Sequence, residues 1–218
     1  MGFDLEKVII KLREKRPVFH SEADFKFALA WEIQTEYSKS KIRMEYPQMV
    51  SGKNFTMPTT NTDKSDDSLI YVDILVRYEG SSYPIELKYK KAELSIEYRG
   101  ELYNLKNHEA KTDNVYIFVK DICRIESLAK ALDNFEQGYT LWLTNDLSYL
   151  QEPTDADVGY ANFSVHQGAI KTGTMNWNNL GGKPPLTLRN EYTINWKEYS
   201  NLGGNNGEFK YALLQVNK

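Results

Sequence analysis

The chain has 218 residues, with 27 Lys plus Arg against 30 Asp plus Glu and a formal net charge of −3 at pH 7. This balance excludes a constitutively basic nucleic-acid coat protein, whose footprint is a strong positive charge. The 41% of hydrophobic and 26% of charged residues are typical of a globular protein, as one large domain or a core with an appendage.

The cysteine content and the N-terminus bear on location. The one cysteine, Cys123, excludes an intrachain disulfide and fits a reducing compartment. Residues 1–16 lack the apolar segment of a signal peptide, and no stretch approaches the ~18 apolar residues of a membrane span. We therefore expect a cytoplasmic protein.

Two helices are predicted first. Apolar residues at helical spacing predict a short helix over 4–15, which Pro17 ends. Ser21 is a typical N-cap, with Asp24 as a variant of the capping box, and it begins a second helix over 22–37.

The second helix carries two apolar stripes. Phe25, Leu29 and Ile33 form one stripe, and Phe27 and Trp31 form the other. Apolar residues thus cover much of the circumference, so we expect this helix to be well buried.

Strand signals follow. Residues 41–50 could form a strand, and 51–68 are polar and loop-like, a length that is usually functional or disordered. Residues 69–78 and 83–89 are two strand-like runs, and the turn residues 79–82 between them predict a β-hairpin.

The remainder gives weaker signals. Residues 92–111 have some helical character, whereas spacing of three or four predicts a helix over 113–135, which Gly138 stops. Residues 139–144 form a short apolar strand. Beyond Leu147, we predict a β-rich C-terminal extension with short strands near 160–166, 169–176 and 208–216.

The hairpin concentrates charge on one face. Alternation along the strands places Val72, Ile74 and Val76 together on an apolar face. A symmetric turn would set Asp73 opposite Lys88 and Leu75 opposite Glu86, with Asp73 and Glu86 as diagonal neighbours about 7–8 Å apart. A one-residue slip would destroy this arrangement.

Two carboxylates beside a lysine suit a hard cation. Mg²⁺ prefers oxygen ligands and is commonly held by one or two carboxylates plus a substrate phosphate. A bound ion lowers the pKa of its water and neutralises charge on a phosphate. The pattern therefore points to phosphodiester hydrolysis.

Asp73, followed by Pro84-Ile85-Glu86-Leu87-Lys88, resembles the signature of the PD-(D/E)xK, or restriction-endonuclease-like, nuclease superfamily. The order of helix, strand, hairpin, helix and strand over residues 15–146 is similar as well. A wider pattern, which includes His20 to Phe25 and Asp121 to Glu126, resembles a group of uncharacterised prokaryotic members. The sequence departs from the signature at Val72, where the motif has proline.

The resemblance implies roles for individual residues. Asp73 and Glu86 would be metal ligands, with help from the Leu87 carbonyl, and Lys88 would be the catalytic lysine. Glu22 would be the acidic residue that many members carry on the first helix. Mg²⁺ would be the cofactor, with Mn²⁺ as a substitute, and the implied fold is an α/β core with a central mixed sheet flanked by helices.

Each of these residues also has a plain structural interpretation. Asp73, Glu86 and Lys88 could form a cross-strand salt-bridge ladder on a solvated face. Glu22 could simply be an acid in the first turn of a helix. Asp121 and Arg124, three apart on a predicted helix, are expected to form an intrahelical pair.

A local positive excess follows the motif. Six Lys/Arg and four Asp/Glu lie between Lys88 and Lys111. Phosphate contacts and a solvated helix face both explain it. The candidate nucleic-acid-binding residues are Lys90, Lys91, Arg99 and Lys106.

The sequence hypothesis is thus a Mg²⁺-dependent nuclease, with DNA favoured as substrate. Its core would span residues 1–146, with residues 147–218 as an extension packed on it. The alternative is a non-catalytic nucleic-acid-binding or protein-interaction module of a prokaryotic defence or mobile-element system. Many members of the superfamily cut two strands as dimers, which leaves a homodimer open.

Overall fold

The computed structural model describes residues 2–51, 67–108, 110–154, 158–177 and 182–218, so most of the predicted loop over 51–68 lies outside the described residues. The fold is α/β, as predicted, with a mixed six-stranded sheet flanked by helices and further strands toward the C-terminus. The helices are α1 (Leu5–Lys15), α2 (Glu22–Glu36) and α3 (Lys111–Ala131). The strands are β1 (Lys41–Ser51), β2 (Asp67–Tyr78), β3 (Ser81–Lys90), β4 (Leu94–Tyr98), β5 (Glu101–Leu105), β6 (Gln137–Thr144), β7 (Ile170–Met175), β8 (Leu186–Thr193), β9 (Trp196–Asn201) and β10 (Glu208–Asn217).

The start of α2 is fixed locally, as predicted. The Ser21 hydroxyl accepts a hydrogen bond from the Asp24 amide at 3.1 Å, which satisfies one of the free donors of the first turn. Phe25 and Leu29 are buried, but Phe27 and Trp31 are 61% and 78% exposed. The expectation that α2 is buried around most of its circumference is therefore wrong, because only one side of the helix packs on the protein.

The β2–β3 hairpin forms with a different register from the predicted one. Its backbone pairing runs from Tyr78 opposite Ser81 to Ile74 opposite Ile85, so Leu75 faces Pro84 and not Glu86. The turn has two central residues, Glu79 and Gly80, both with positive φ, at 50° and 85°. This conformation matches the twist of a tight hairpin and sets the shift of two residues.

The sheet order is β1-β2-β3-β6-β10-β9, with β3 and β6 parallel and the other neighbours antiparallel. Strand β10 lies between β6 and β9, so the segment over 147–218 supplies two strands of the central sheet. The predicted division at residue 146 stays a prediction, although the sheet itself extends across it. One hydrophobic core lies on the side of α1 and α2, and a second lies on the side of α3.

Two predicted elements differ from the structure, and two strands were not predicted. Residues 92–111, predicted to have helical character, contain the β4–β5 hairpin, in which apolar residues alternate around a two-residue turn at Arg99 and Gly100. The predicted strand near 160–166 contains a short 3₁₀ helix, Ala161–Phe163. Strands β8 and β9 were not predicted. Among the described residues, no helix is both long and apolar enough to cross a membrane.

Candidate functional site

Strands β2 and β3 separate just beyond the Ile74–Ile85 pair, and we call the space between them there the fork. The Leu87 amide donates to Asp73 Oδ2 at 3.0 Å, and the Tyr89 amide donates to Glu22 Oε2 at 2.8 Å. Two carboxylates from different elements thus satisfy backbone donors of β3 where its pairing with β2 has ended. This contact brings Glu22 of α2 to the same place as the hairpin motif.

The side-chain alternation of β2 is interrupted at Asp73. Val72 packs in the core on the side of α3, whereas Ile74 and Val76 pack on the side of α1 and α2. The predicted shared face of these three residues is therefore wrong. On the neighbouring strand, Glu45 has a φ of 48°, at the position where pairing skips from Met44–Ile74 to Tyr46–Val72. The interruption coincides with an Asp73 carboxylate that reaches the fork.

Lys88 lies between carboxylates of two elements. Its Nζ is 3.1 Å from Asp121 Oδ2 and 3.8 Å from Asp73 Oδ2, and it donates to the Leu87 carbonyl at 3.1 Å. Burial alone would lower the pKa of Lys88, but Asp121, Asp73 and Glu86 together raise it above its ordinary value. Lys88 is therefore held as a positive charge between these carboxylates.

Lys26 is a second lysine in the fork, and the sequence motif does not include it. Its Nζ donates to Asp73 Oδ1 at 3.0 Å and also pairs with Glu45. Burial tends to raise the pKa of Asp73, but Lys88, the Leu87 amide and Lys26 outweigh it and lower the pKa below its usual value. Lys26 follows Glu22 by four positions on α2, so helical spacing could have indicated that both point to the same side.

Glu86 forms a buried ion pair with α3. Arg124 Nη2 is 2.8 Å from Glu86 Oε1, and Arg124 Nε donates to the same oxygen at 3.1 Å. Arg124 also donates to the Tyr71 carbonyl at 2.5 Å. Burial raises the pKa of Glu86 well above its ordinary value, against the opposing effect of Arg124.

Asp121 and Arg124 were expected to pair with each other along the helix. They pair with β3 instead, Asp121 with Lys88 and Arg124 with Glu86. Both side chains point from α3 toward β3, which carries their oppositely charged partners Lys88 and Glu86. Burial raises the pKa of Asp121 above its ordinary value, and the opposing effects of Lys88 and Arg124 offset this only in part.

The cluster has an excess of acid. Its members are the carboxylates Glu22, Asp73, Glu86 and Asp121 and the cations Lys26, Lys88 and Arg124, which gives a formal charge of −1 when all are ionised. A net negative centre in a buried setting favours a further cation over an anion.

The donor chemistry fits a hard metal ion in part. The two contacts of Arg124 with Glu86 both use Oε1, and Asp121 Oδ2 is buried without a hydrogen bond of good geometry. Over the ranges that the structure describes, no group of three or more His, Cys, Asp or Glu is arranged to hold a metal. A site with Asp73 and Glu86 alone suits Mg²⁺, which keeps several waters and accepts one or two carboxylates.

The four candidate nucleic-acid-binding residues have different surroundings. Lys90 is half-buried near the fork, where burial and Lys88 lower its pKa. Lys91 is buried and donates to the His20 carbonyl at 3.0 Å. Arg99 and Lys106 are exposed, in the β4–β5 turn and just after β5. The structure therefore places only Lys90 beside the fork.

A cavity of about 490 Å³ lies at the other end of the hairpin. Its lining includes Arg77, Glu79 and Gly80, at the β2–β3 turn, with Lys41 and Asp133. Because it is remote from Asp73 along β2, we do not assign the fork's chemistry to this cavity.

Comparison with known proteins gives no relative: no family model, no curated protein and no solved structure matches the chain. The resemblance to the PD-(D/E)xK superfamily thus stays a hypothesis, carried by the motif residues.

Proposed function

We propose that this protein is a Mg²⁺-dependent nuclease that hydrolyses phosphodiester bonds of nucleic acid, with DNA favoured as substrate. The observation that supports it best is the position of Lys88 beside Asp73 at the fork, with Nζ 3.8 Å from Oδ2, and of Glu86 near enough to interact electrostatically with both. We also propose a cytoplasmic location, because a single cysteine excludes an intrachain disulfide and fits a reducing compartment.

In this proposal Asp73 and Glu86 hold the ion, with the Leu87 carbonyl as a further oxygen ligand, and Mn²⁺ can substitute. When bound, Mg²⁺ would lower the pKa of a coordinated water and neutralise charge on the phosphate. Lys88 is protonated, so it orients the attacking water by donating a hydrogen bond and stabilises negative charge on phosphate oxygens. Glu22 positions β3 through the Tyr89 amide.

The two remaining cations also have roles in this proposal. Arg124 and Lys26 neutralise Glu86 and Asp73 while the site holds no substrate. With Asp73 and Glu86 holding an ion, Arg124 and Lys26 would be available to phosphate oxygens, for which the planar guanidinium of arginine is well suited. In this proposal, Arg124 and Lys26 exchange their contacts with the carboxylates for contacts with the phosphates of the substrate.

The burial of the cluster argues against a purely structural salt-bridge ladder. Glu86 and Asp121 are 2% and 3% exposed, and a ladder on a solvated face would leave them largely accessible. Buried ion pairs contribute little net stability, because desolvation offsets their attraction. Strongly perturbed carboxyl groups that gather around one lysine are more typical of functional sites.

One observation favours the alternative of a non-catalytic nucleic-acid-binding or interaction module. Both proposed ligands are already neutralised by Arg124 and Lys26. A site that never exchanges these partners for a metal would retain the fold without activity. Binding of DNA that is equally tight with Mg²⁺ and with EDTA, without cleavage, would support this second candidate.

The decisive experiment is a cleavage assay on supercoiled DNA, linear duplex DNA, single-stranded DNA and RNA, with Mg²⁺, Mn²⁺ or EDTA. We expect metal-dependent cleavage by the wild type and a loss of at least ~100-fold in Lys88→Ala. Lys88→Arg keeps the positive charge and serves as the variant more certain to fold. Lys41→Ala, at the turn end of β1, is the matched control and should cleave normally. Circular dichroism verifies folding, and equal behaviour of wild type and Lys88→Ala on every substrate would contradict the proposal.

A further inference from the structure

A second cavity, also of about 490 Å³, lies where α3, β8 and the end of β10 meet, and we call it the α3–β8 cavity. Its lining residues are Glu126, Ala129, Lys130, Arg189, Asn190, Asn217 and Lys218. Its volume falls within the roughly 300–1,000 Å³ that is usual for small-molecule sites. None of its lining residues belongs to the fork, so the cavity needs an explanation of its own.

The strand register separates this cavity from the fork. Asn217 pairs with Gln137 on β6, two residues before Tyr139, which pairs with Ile85 on β3. Lys88 lies three residues beyond Ile85 in the same direction. Asn217 and Lys88 therefore differ in level by about 16 Å along the strands. A small ligand in the cavity does not share the carboxylates of the fork.

The side chains that line the cavity carry an excess of positive charge. Lys130, Arg189 and Lys218 are cations, and Glu126 is the one acidic side chain in the lining, which gives a formal charge of +2. Within the part of the chain that the structure describes, none of the three cations forms a salt bridge. Unpaired cations around a concave surface favour an anionic ligand.

The carboxylate of Glu126 is already occupied on the side of β8. Its Oε2 accepts from the Arg189 amide at 2.9 Å. Its Oε1 accepts from the Asn190 amide at 3.1 Å and from the Tyr192 hydroxyl at 2.8 Å. These donors stabilise the negative charge of Glu126, so the basic side chains of the lining are not needed for that task.

Two lining side chains are held in place with donors to spare. Arg189 Nη1 donates to the Glu126 carbonyl at 3.2 Å, which anchors the guanidinium and leaves its other N–H groups for a ligand. Asn217 Oδ1 accepts from Gln137 Nε2 at 2.8 Å, so the amide nitrogen of Asn217 remains as a donor. Anchored donors of this kind suit the oxygens of a phosphate, which arginine binds in a bidentate manner.

We propose that the α3–β8 cavity binds the phosphate group of a phosphomonoester, with Arg189 and Lys130 as its main cationic contacts. A phosphomonoester carries about −1.5 to −2 charges at pH 7, which matches the positive excess of the lining. A phosphodiester inside a nucleic-acid chain carries only one. A small phosphate ester and the phosphorylated end of a nucleic acid share the required chemistry. The inference does not rest on the proposed function, because no proposed catalytic residue lines the cavity.

Isothermal titration calorimetry in EDTA and a phosphate-free buffer measures binding without metal or cleavage. We would compare ribose 5-phosphate with ribose, and a short oligo(dT) that carries a 5′-phosphate with the same oligonucleotide without it. We expect the phosphate group to be required, and Arg189→Gln and Lys130→Gln each to lose about 10-fold or more in affinity. Lys130 is exposed, so its variant is the one more certain to fold. Arg43→Gln, at an exposed arginine of β1, is the matched control and should bind normally.

The outcomes identify the source of the phosphate and separate this inference from the proposed function. Arg189-dependent binding that is tighter for the phosphorylated oligonucleotide than for ribose 5-phosphate would support a nucleic-acid end as the ligand, and equal or weaker binding would support a small phosphate ester. Equal affinity for ribose and ribose 5-phosphate would overturn the site. Unchanged affinity in both variants, or the same loss in Arg43→Gln, would overturn it as well. Cleavage plays no part in these measurements, so failure of the nuclease proposal would leave the expected binding unchanged.

Discussion

Glu86 of β3 and Arg124 of α3 form a buried ion pair whose closest atoms are 2.8 Å apart. The pair joins the central sheet to the longest helix at the edge of the fork. It also bears on the proposed function, because a metal on Glu86 would share the carboxylate with Arg124, whose contacts are both with Oε1. The strength of this pair can be measured independently of any activity.

Removal of Arg124 should destabilise the protein strongly. Arg124→Met leaves the Glu86 carboxyl buried without its partner, and we expect a loss of about 3–5 kcal/mol in the free energy of unfolding at pH 7. Urea denaturation gives this value. The double variant Glu86→Gln with Arg124→Met should recover part of the loss, and additive losses would show that the two residues are not coupled.

The same variant should show a defined pH dependence. The pKa of Glu86 is raised in the folded protein by burial, so its ionisation disfavours folding as pH rises from the ordinary value through the raised one. Without Arg124 the folded-state pKa rises further. The stability difference between wild type and Arg124→Met should therefore shrink as pH falls toward 5, and a difference that is constant between pH 5 and 8 would contradict this account.

Two phenylalanines of α2 test the one-sided burial of the helix. Phe25 is 1% exposed and Phe27 is 61% exposed. Phe25→Ala should lose about 3–5 kcal/mol of stability, because it opens a cavity. Phe27→Ala should change stability by no more than about 0.5 kcal/mol. Thermal unfolding of the two variants decides the matter, and similar losses would mean that both rings are buried.

Glu126 connects α3 to β8. Its carboxylate accepts hydrogen bonds from the Arg189 amide at 2.9 Å, the Asn190 amide at 3.1 Å and the Tyr192 hydroxyl at 2.8 Å. Glu126→Ala should cost about 3 kcal/mol and increase hydrogen exchange in β8, because these donors lose a charged acceptor. Glu126→Gln should lose less, and Glu152→Ala, an exposed acid, should behave like wild type.

Two substitutions in the β2–β3 turn should change the stability of the protein in opposite directions. Glu79 and Gly80 both have positive φ, and no atom lies within 4 Å of a Cβ built on Gly80. Glu79→Asn should stabilise the protein by about 0.5 kcal/mol, because asparagine tolerates this conformation better. Gly80→Ala should destabilise it by about 1 kcal/mol through the backbone alone. Chemical denaturation measures both, and a stabilising Gly80→Ala would contradict the observed turn.

The features of the fold that depend on residues close together in the sequence could be predicted from the sequence. The Ser21 cap begins α2, alternating apolar residues specify the hairpin strands, and the motif singled out Asp73, Glu86 and Lys88. The predicted register was wrong by two residues because the two turn residues are Glu79 and Gly80 and not Gly80 and Ser81, which depends on whether Glu79 adopts positive φ. An even shift does not by itself move side chains across the sheet, so Glu86 and Lys88 still face α3, although the alternation of β2 is interrupted at Asp73.

The partners of the motif were decided by tertiary structure. Arg124 meets Glu86 across 38 residues of sequence, and Lys26 meets Asp73 across 47. No local spacing encodes these contacts, which depend on how α3 and α2 pack on opposite sides of the sheet. The insertion of β10 between β6 and β9 is likewise a matter of long-range strand pairing. The sequence alone singled out Asp73, Glu86 and Lys88 as candidates. Only the packing of distant elements determined that each acid in the fork meets a cation or a backbone donor, because burial makes an unpaired charge too costly to retain.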